Sequence, residues 1–202
     1  MCSTHSGSVV TSKQTDELSL LHHLDNDFWQ FSLELYANPE VAQYCLKLQD
    51  QHDMQVNILL YSLWLSFEGC ILEPQRIKQN SQLQNWLKVI IPNIRDARKQ
   101  VGENSKQDPL YKQLKASELM AEQRAQAILF QLDKEPSIHL RSNNDFTENT
   151  FLDLLEENLR LSWQAFQPTS EKNQPPEQII ELSKWMIIHC QRKIADKLNI
   201  KP

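Results

Sequence analysis

Apolar residues recur along the chain at intervals of three and four, separated by polar caps, so the pattern predicts a succession of amphipathic helices. Asp25 or Asn26 is placed to cap the first, its side chain accepting from the free amides of the opening turn. Phe28, Phe31 and Leu35 then fall on one face with Trp29, Leu33 and Tyr36 beside it, while Asp27, Gln30 and Glu34 share another. Asn38-Pro39-Glu40 is the sharpest local signal. Asn caps, Pro occupies the first helical position where its missing N–H costs nothing, and Glu faces the positive end of the helix dipole. The helix that follows is expected to bury Val41, Tyr44, Cys45 and Leu48 and to end between Gln49 and Asp53.

Val56 to Leu72 is the most apolar stretch, with 12 apolar residues in 17. A membrane span needs about 20 apolar residues, and this stretch is shorter and carries Asn57 and Glu68, so it predicts a central helix surrounded by protein. Beyond Pro74, Asn80 or Ser81 caps another helix. Leu83, Trp86, Leu87, Ile90, Ile91 and Ile94 keep helical spacing up to and past Pro92, a residue that kinks or divides a helix. Asp108-Pro109 opens the next, which carries Leu110, Leu114, Leu119, Ile128 and Leu129 to about Leu132. Residues Asp133 to Asn149 read as a loop, Phe151 to Phe166 as a helix with Leu152, Leu155, Leu159 and Trp163 in register, and Gln167 to Gln174 as a second loop. Pro175-Pro176-Glu177 starts a last helix with Ile179, Leu182, Trp185, Met186, Cys190 and Ile194. The expected fold is all-α: one bundle of about seven helices over residues 21–202 around the central apolar helix 56–72, preceded by a disordered tail over 1–20.

Composition agrees with this picture. Three glycines against nine prolines, with many Leu, Gln, Glu and Lys, is helix-forming, and β-branched runs and Asn-Gly turns are missing. Four scattered cysteines without a CxxC pair exclude a zinc ribbon or dithiol redox motif and read as buried reduced thiols, which places the protein in the cytoplasm. The N-terminal residues lack the apolar core and basic lead of a secretory signal. With Gly only at 7, 69 and 102, no phosphate-binding glycine loop can be built. No HExxH or Glu-x-x-His pair supports a metal centre, and no cofactor is implied.

One block resembles a known family. Phe28-Trp29, Phe31-Ser32 and Tyr36 in the first helix, Cys45 with Leu48-Gln49-Asp50 in the second, and Val56-Asn57, Leu59-Leu60 and Trp64-Leu65 in the third are similar to the motifs of a bacterial family catalogued as domain of unknown function 2390. The similarity is dense over about 40 residues and fades beyond the helix holding Glu118 to Leu129. It implies an all-helical bacterial protein and supplies no activity, substrate or cofactor. The family has an acidic residue just before the Val-Asn pair; here Gln55 stands there, so no role resting on that charge carries over.

Three groups of residues are candidates for function. On a regular helix Asn57, Tyr61, Trp64 and Glu68 fall within about 60° of one another, a polar-aromatic stripe that lines a pocket or partner groove, or else is the helix's solvent side or a satisfied internal network. Gln49-Asp50-Gln51-His52-Asp53 sets one histidine among carboxylates, as a general base or merely as a helix end. From Arg76 to Lys115, nine Lys or Arg stand against three Asp or Glu, a local +6 in a chain of net −5. Lys88, Arg95 and Lys99 share a face if the Pro92 kink is mild, with Arg98 beside them. That face suits an anionic protein or RNA partner, or else pairs with the chain's own acidic helices. The residues favour a non-catalytic binding or adaptor protein using this basic face. The alternative is a small enzyme or ligand-binding protein with a pocket lined by Asn57, Tyr61, Trp64 and Glu68, between the first three helices and the helix of Glu118 and Glu122.

Overall fold

The computed structural model describes residues 24–133, 148–166 and 177–197. Asn26 is the cap that opens α1 (Asp27–Tyr36), its Oδ1 accepting from the Trp29 amide at 2.9 Å. Asn38 does the same for α2 (Pro39–His52), accepting from Glu40 at 2.9 Å. α3 spans Val56–Glu68, four residues shorter than its apolar composition suggests. The reason is Gly69, which takes φ 76 and lets the Cys70 amide reach back to the Leu65 carbonyl at 2.8 Å, a left-handed stop that closes the helix. A short helix α4 (Pro74–Gln79), absent from the sequence expectation, accounts for eight helices among the described residues where about seven were expected.

Pro92 neither ends nor divides its helix. α5 runs continuously from Ser81 through Ser81–Asn85, a π-helical stretch Trp86–Ile90, and Ile91–Asn104. In the π stretch the Ile91 amide bonds to the Trp86 carbonyl, so each turn takes an extra residue. The wider turn lies directly before the proline, where the ring of Pro92 needs room and the Lys88 carbonyl has lost its usual donor. Asp108 caps α6 (Pro109–Asp133) by accepting from the Leu110 amide at 2.7 Å. α7 is Glu148–Phe166 and α8 is Glu177–Lys197. The expected tail over residues 1–20 and the interiors of both expected loops lie outside the described residues.

α3 is the core of this all-α bundle. Every residue from Val56 to Ser66 is buried, and α1, α2, α6 and above all α7 pack around it. The second half of α5 folds back along α6, and α8 covers α2 and α7. Gly102 permits the first of these contacts: a Cβ there would stand 2.8 Å from the ring of Tyr111. Three apolar assignments move. Leu33, expected beside the buried face of α1, is exposed, and Ser32 is buried in its stead, because Phe28, Ser32 and Leu35 form the row that meets α3 and α6. Leu110 and Leu119 are likewise exposed, since α6 turns Ala121, Ala125, Ile128 and Leu129 to the core.

Candidate functional site

The α3 stripe faces the seam between α1 and α6, and packing and hydrogen bonding occupy it. Asn57, at 5% exposure, accepts from Gln126 Nε2 of α6 at 2.9 Å. Phe28 sets its ring 5.5 Å from Tyr61 and 6.1 Å from Trp64. Phe31 and Phe130 complete the enclosure of Trp64 at 5.4 and 6.4 Å. Glu68 sits half-buried at the C-terminal end of α3, apart from the Asn57–Gln126 pair. The four residues thus share a face, as their spacing requires.

The basic residues divide into two sets. Arg95 donates from Nε to Glu118 at 2.8 Å and from its terminal nitrogen to Glu122 at 3.1 Å. Arg98 also binds Glu118 and lies 5.9 Å from the centre of the Tyr111 ring. Glu118 is only 7% exposed, so this is a carboxylate clamped between two guanidinium groups inside the α5–α6 seam. Lys99 pairs with Asp50 of α2 at 3.2 Å across exposed surface. Lys88 is exposed and lies within the π stretch Trp86–Ile90, outside these ion pairs.

Burial is the main cause that raises the Glu122 carboxyl above its ordinary value of 4.5, with the neighbouring Glu118 adding to it and Arg95 opposing it. A raised carboxyl contributes most to stability below 4.5, where both folded and unfolded chains hold the proton, and that contribution is lost as pH rises through the folded value. Comparing urea midpoints across that range, Glu122→Gln is expected to gain on the wild-type protein as pH rises. A difference that stays flat with pH would contradict this.

Lys88 lines the wall of a furrow of about 650 Å³ between the start of α3, α4, the π stretch of α5 and the end of α7. Lys78 stands in the same wall, its Nζ 5.5 Å from the centre of the Phe166 ring, and Leu87, Phe166 and Ala165 give an apolar floor. Through Asp53, Gln55 and Pro92 the furrow continues into a second hollow of about 220 Å³. The two ends differ in charge. Lys78 and Lys88 face one aspartate at the first, whereas Asp50, Asp53 and Asp96 outnumber Arg95 and Lys99 at the second.

The histidine cluster is spent on structure. Asp50 pairs with Lys99, Asp53 takes a left-handed φ of 50 to close α2, and His52 sets its ring against Trp163 at 5.5 Å. Cys45 is buried and free, and burial is the main cause that pushes its thiol up to about 12, where it stays protonated and unreactive at neutral pH. Burial likewise raises the Tyr36 hydroxyl, which shares a hydrogen bond with that thiol. No group of three metal-binding side chains is present among the described residues, and no described helix is long and apolar enough to cross a membrane.

Sequence reading passed over Asn158, which closes the contact between α3 and α7. Fully buried, it donates to Ser66 Oγ at 3.0 Å and to the Cys70 carbonyl at 2.9 Å, and accepts from the Leu72 amide at 2.7 Å. Its signal was present: Asn158 falls in register with Leu155, Leu159 and Ser162 on the apolar face of its helix. Gln126 lies in a similar position on α6, among Ala125, Ala127 and Ile128.

Compared with known proteins, residues 27–129 match the model of a family described as "Protein of unknown function (DUF2390)". No curated protein and no solved structure matches the chain.

Proposed function

The chain belongs to the DUF2390 family, and from that premise we propose that it is a non-catalytic, cytoplasmic binding protein that docks an acidic protein segment at the Lys78–Lys88 end of the furrow. The division of the cations carries this reading. Of the basic face, Arg95, Arg98 and Lys99 are held by Glu118, Glu122 and Asp50, whereas Lys88 and Lys78 look onto an open furrow with an apolar floor. Two lysines beside Leu87 and Phe166 suit a short acidic segment that also brings an apolar side chain. RNA is the poorer fit, because two phosphate contacts give a log–log salt slope of only about two. The non-catalytic character rests on chemistry already used up: His52 packs on Trp163, and Cys45 is an inert buried thiol.

The test is a double reversal, Lys78→Glu with Lys88→Glu. Both side chains are exposed, so the melting curve is expected to stay within about a degree of wild type. Anisotropy with a fluorescent glutamate-rich peptide carrying one Leu is expected to show salt-sensitive binding that the reversal weakens at least tenfold. Affinity purification from the native cell with the same pair identifies the natural partner. Equal peptide binding by the two proteins, with an unchanged melt, removes the furrow from the reading, and recovery of nuclease-sensitive material in its place points to RNA.

A further inference from the structure

One apolar side chain of α1 is left standing in water between two hollows. Leu33 is 41% exposed and lines both, so it forms a ridge with a depression on either side. The larger is an open groove of about 550 Å³ floored by Phe31, Trp64 and Phe67, with the Phe31 ring centre 5.4 Å from Trp64 and 5.8 Å from Phe67. The smaller, about 140 Å³, runs along Trp29 and Tyr36 to Leu119 of α6, itself 49% exposed. Large apolar side chains that face water together mark an interaction surface. The furrow shares none of these residues.

The charge beside this ridge is of one sign. Asp27 and Glu34 line the larger groove, and neither hollow is lined by a lysine or arginine. The sequence extends the bias, with four acidic residues and no lysine or arginine from Asp25 to Leu46. A cation gains here from the carboxylates and from the aromatic rings alike. The shape narrows the occupant further. The described elements are all helices, so there is no strand edge for an extended chain to lengthen. Two hollows across a ridge one residue wide suit apolar side chains three and four positions apart on one helix face. A second copy paired symmetrically through this surface would set acidic face against acidic face, which repels.

We propose that the Leu33 ridge is a docking site for an amphipathic helix of another protein, rich in lysine or arginine, whose apolar face straddles Leu33 and whose cations meet Asp27 and Glu34. Its preference is opposite in charge to that of the furrow, where Lys78 and Lys88 stand. Taken with the furrow reading above, the chain holds an acidic partner and a basic one on separate surfaces; the Leu33 site stands without that reading.

The test titrates the full chain with a fluorescent Leu–Lys peptide in amphipathic helical order and with a peptide of the same composition in scrambled order. The ordered peptide is expected to saturate, to weaken with added salt, and to move the ¹³C methyl signals of Leu33 and Leu119 first. It is expected to bind about tenfold tighter than the scrambled one, the factor for seating one leucine side chain. Leu33→Ser is expected to remove that advantage, and Glu34→Lys, a second exposed position, to weaken binding through charge alone. Lys78→Ala with Lys88→Ala is expected not to weaken it, which separates this surface from the furrow. Equal binding of the scrambled peptide, first shifts at other methyl groups, full affinity in both α1 variants, or no saturable binding each overturns the assignment. Concentration-dependent association of the wild-type chain alone, abolished by Leu33→Ser, makes a second copy the occupant and overturns it as well.

Discussion

Asn158→Leu is expected to cost about 3–6 kcal/mol in equilibrium urea unfolding, a large part of the 5–15 kcal/mol that holds a domain together. The leucine fits the volume, so the loss comes from what it abandons. The Leu72 amide loses its acceptor, and the Cys70 carbonyl and Ser66 hydroxyl lose their donor, all in a place that water does not reach. Each orphan of this kind costs about 1–3 kcal/mol, more than the net value of the bond it once made. Ser66→Ala gives the internal control. Its hydroxyl also bonds to the Ser62 carbonyl, and Asn158 keeps two of its three partners, so a loss of about 1 kcal/mol is expected. The double variant should cost less than the sum of the two, because the shared bond is lost only once. A urea midpoint for Asn158→Leu within error of wild type would show that the extended segment after α3 is not held by this side chain.

Glu118→Ala is the second large effect, about 3–5 kcal/mol, since removing one partner from a buried ion cluster leaves the others uncompensated. Here two guanidinium groups stay in the α5–α6 seam, and only Glu122 remains to face Arg95. The comparison is Lys99→Ala, which breaks the pair with Asp50 at a site more than half exposed on both sides and is expected to cost about 0–1 kcal/mol. Urea midpoints of both variants at low and high salt separate the two kinds of contact. The Lys99 pair should fade with salt and the Glu118 cluster should persist. Equal, small losses in the two variants would place Glu118 on the surface.

These two residues also show how far the sequence could be read. The helices were legible because their ends are written in short-range chemistry: Asn26, Asn38-Pro39, Asn80 and Asp108-Pro109 each place a side-chain acceptor at the first turn, and all four helices start there. Which polar residues lie inside was harder to read. Nothing in the local spacing of Glu118 and Glu122 marks them as buried, and only the return of α5 along α6 brings Arg95 and Arg98 onto them. That Asn57, Tyr61, Trp64 and Glu68 share a face of α3 follows from their spacing alone. What it faces depended on α1 and α6, whose placement no local pattern sets. The basic face rested on a regular count of residues. Its expected alignment assumed one residue every 100°, and the π stretch before Pro92 breaks that count between Lys88 and Arg95.

The Asn158 contact bears on the limits of the folding unit. The stretch that matches the family model stops at residue 129, whereas the helix that packs most extensively on α3 begins at Glu148. A fragment cut at 129 keeps the whole central helix and loses the Phe151, Leu155 and Leu159 side chains that cover it, together with the amide that ties down Cys70 and Leu72. Such a fragment presents an apolar helix face to water and to other copies of itself, which favours aggregation over native structure. The stretch that family likeness marks out therefore lacks the helix that packs most extensively on α3.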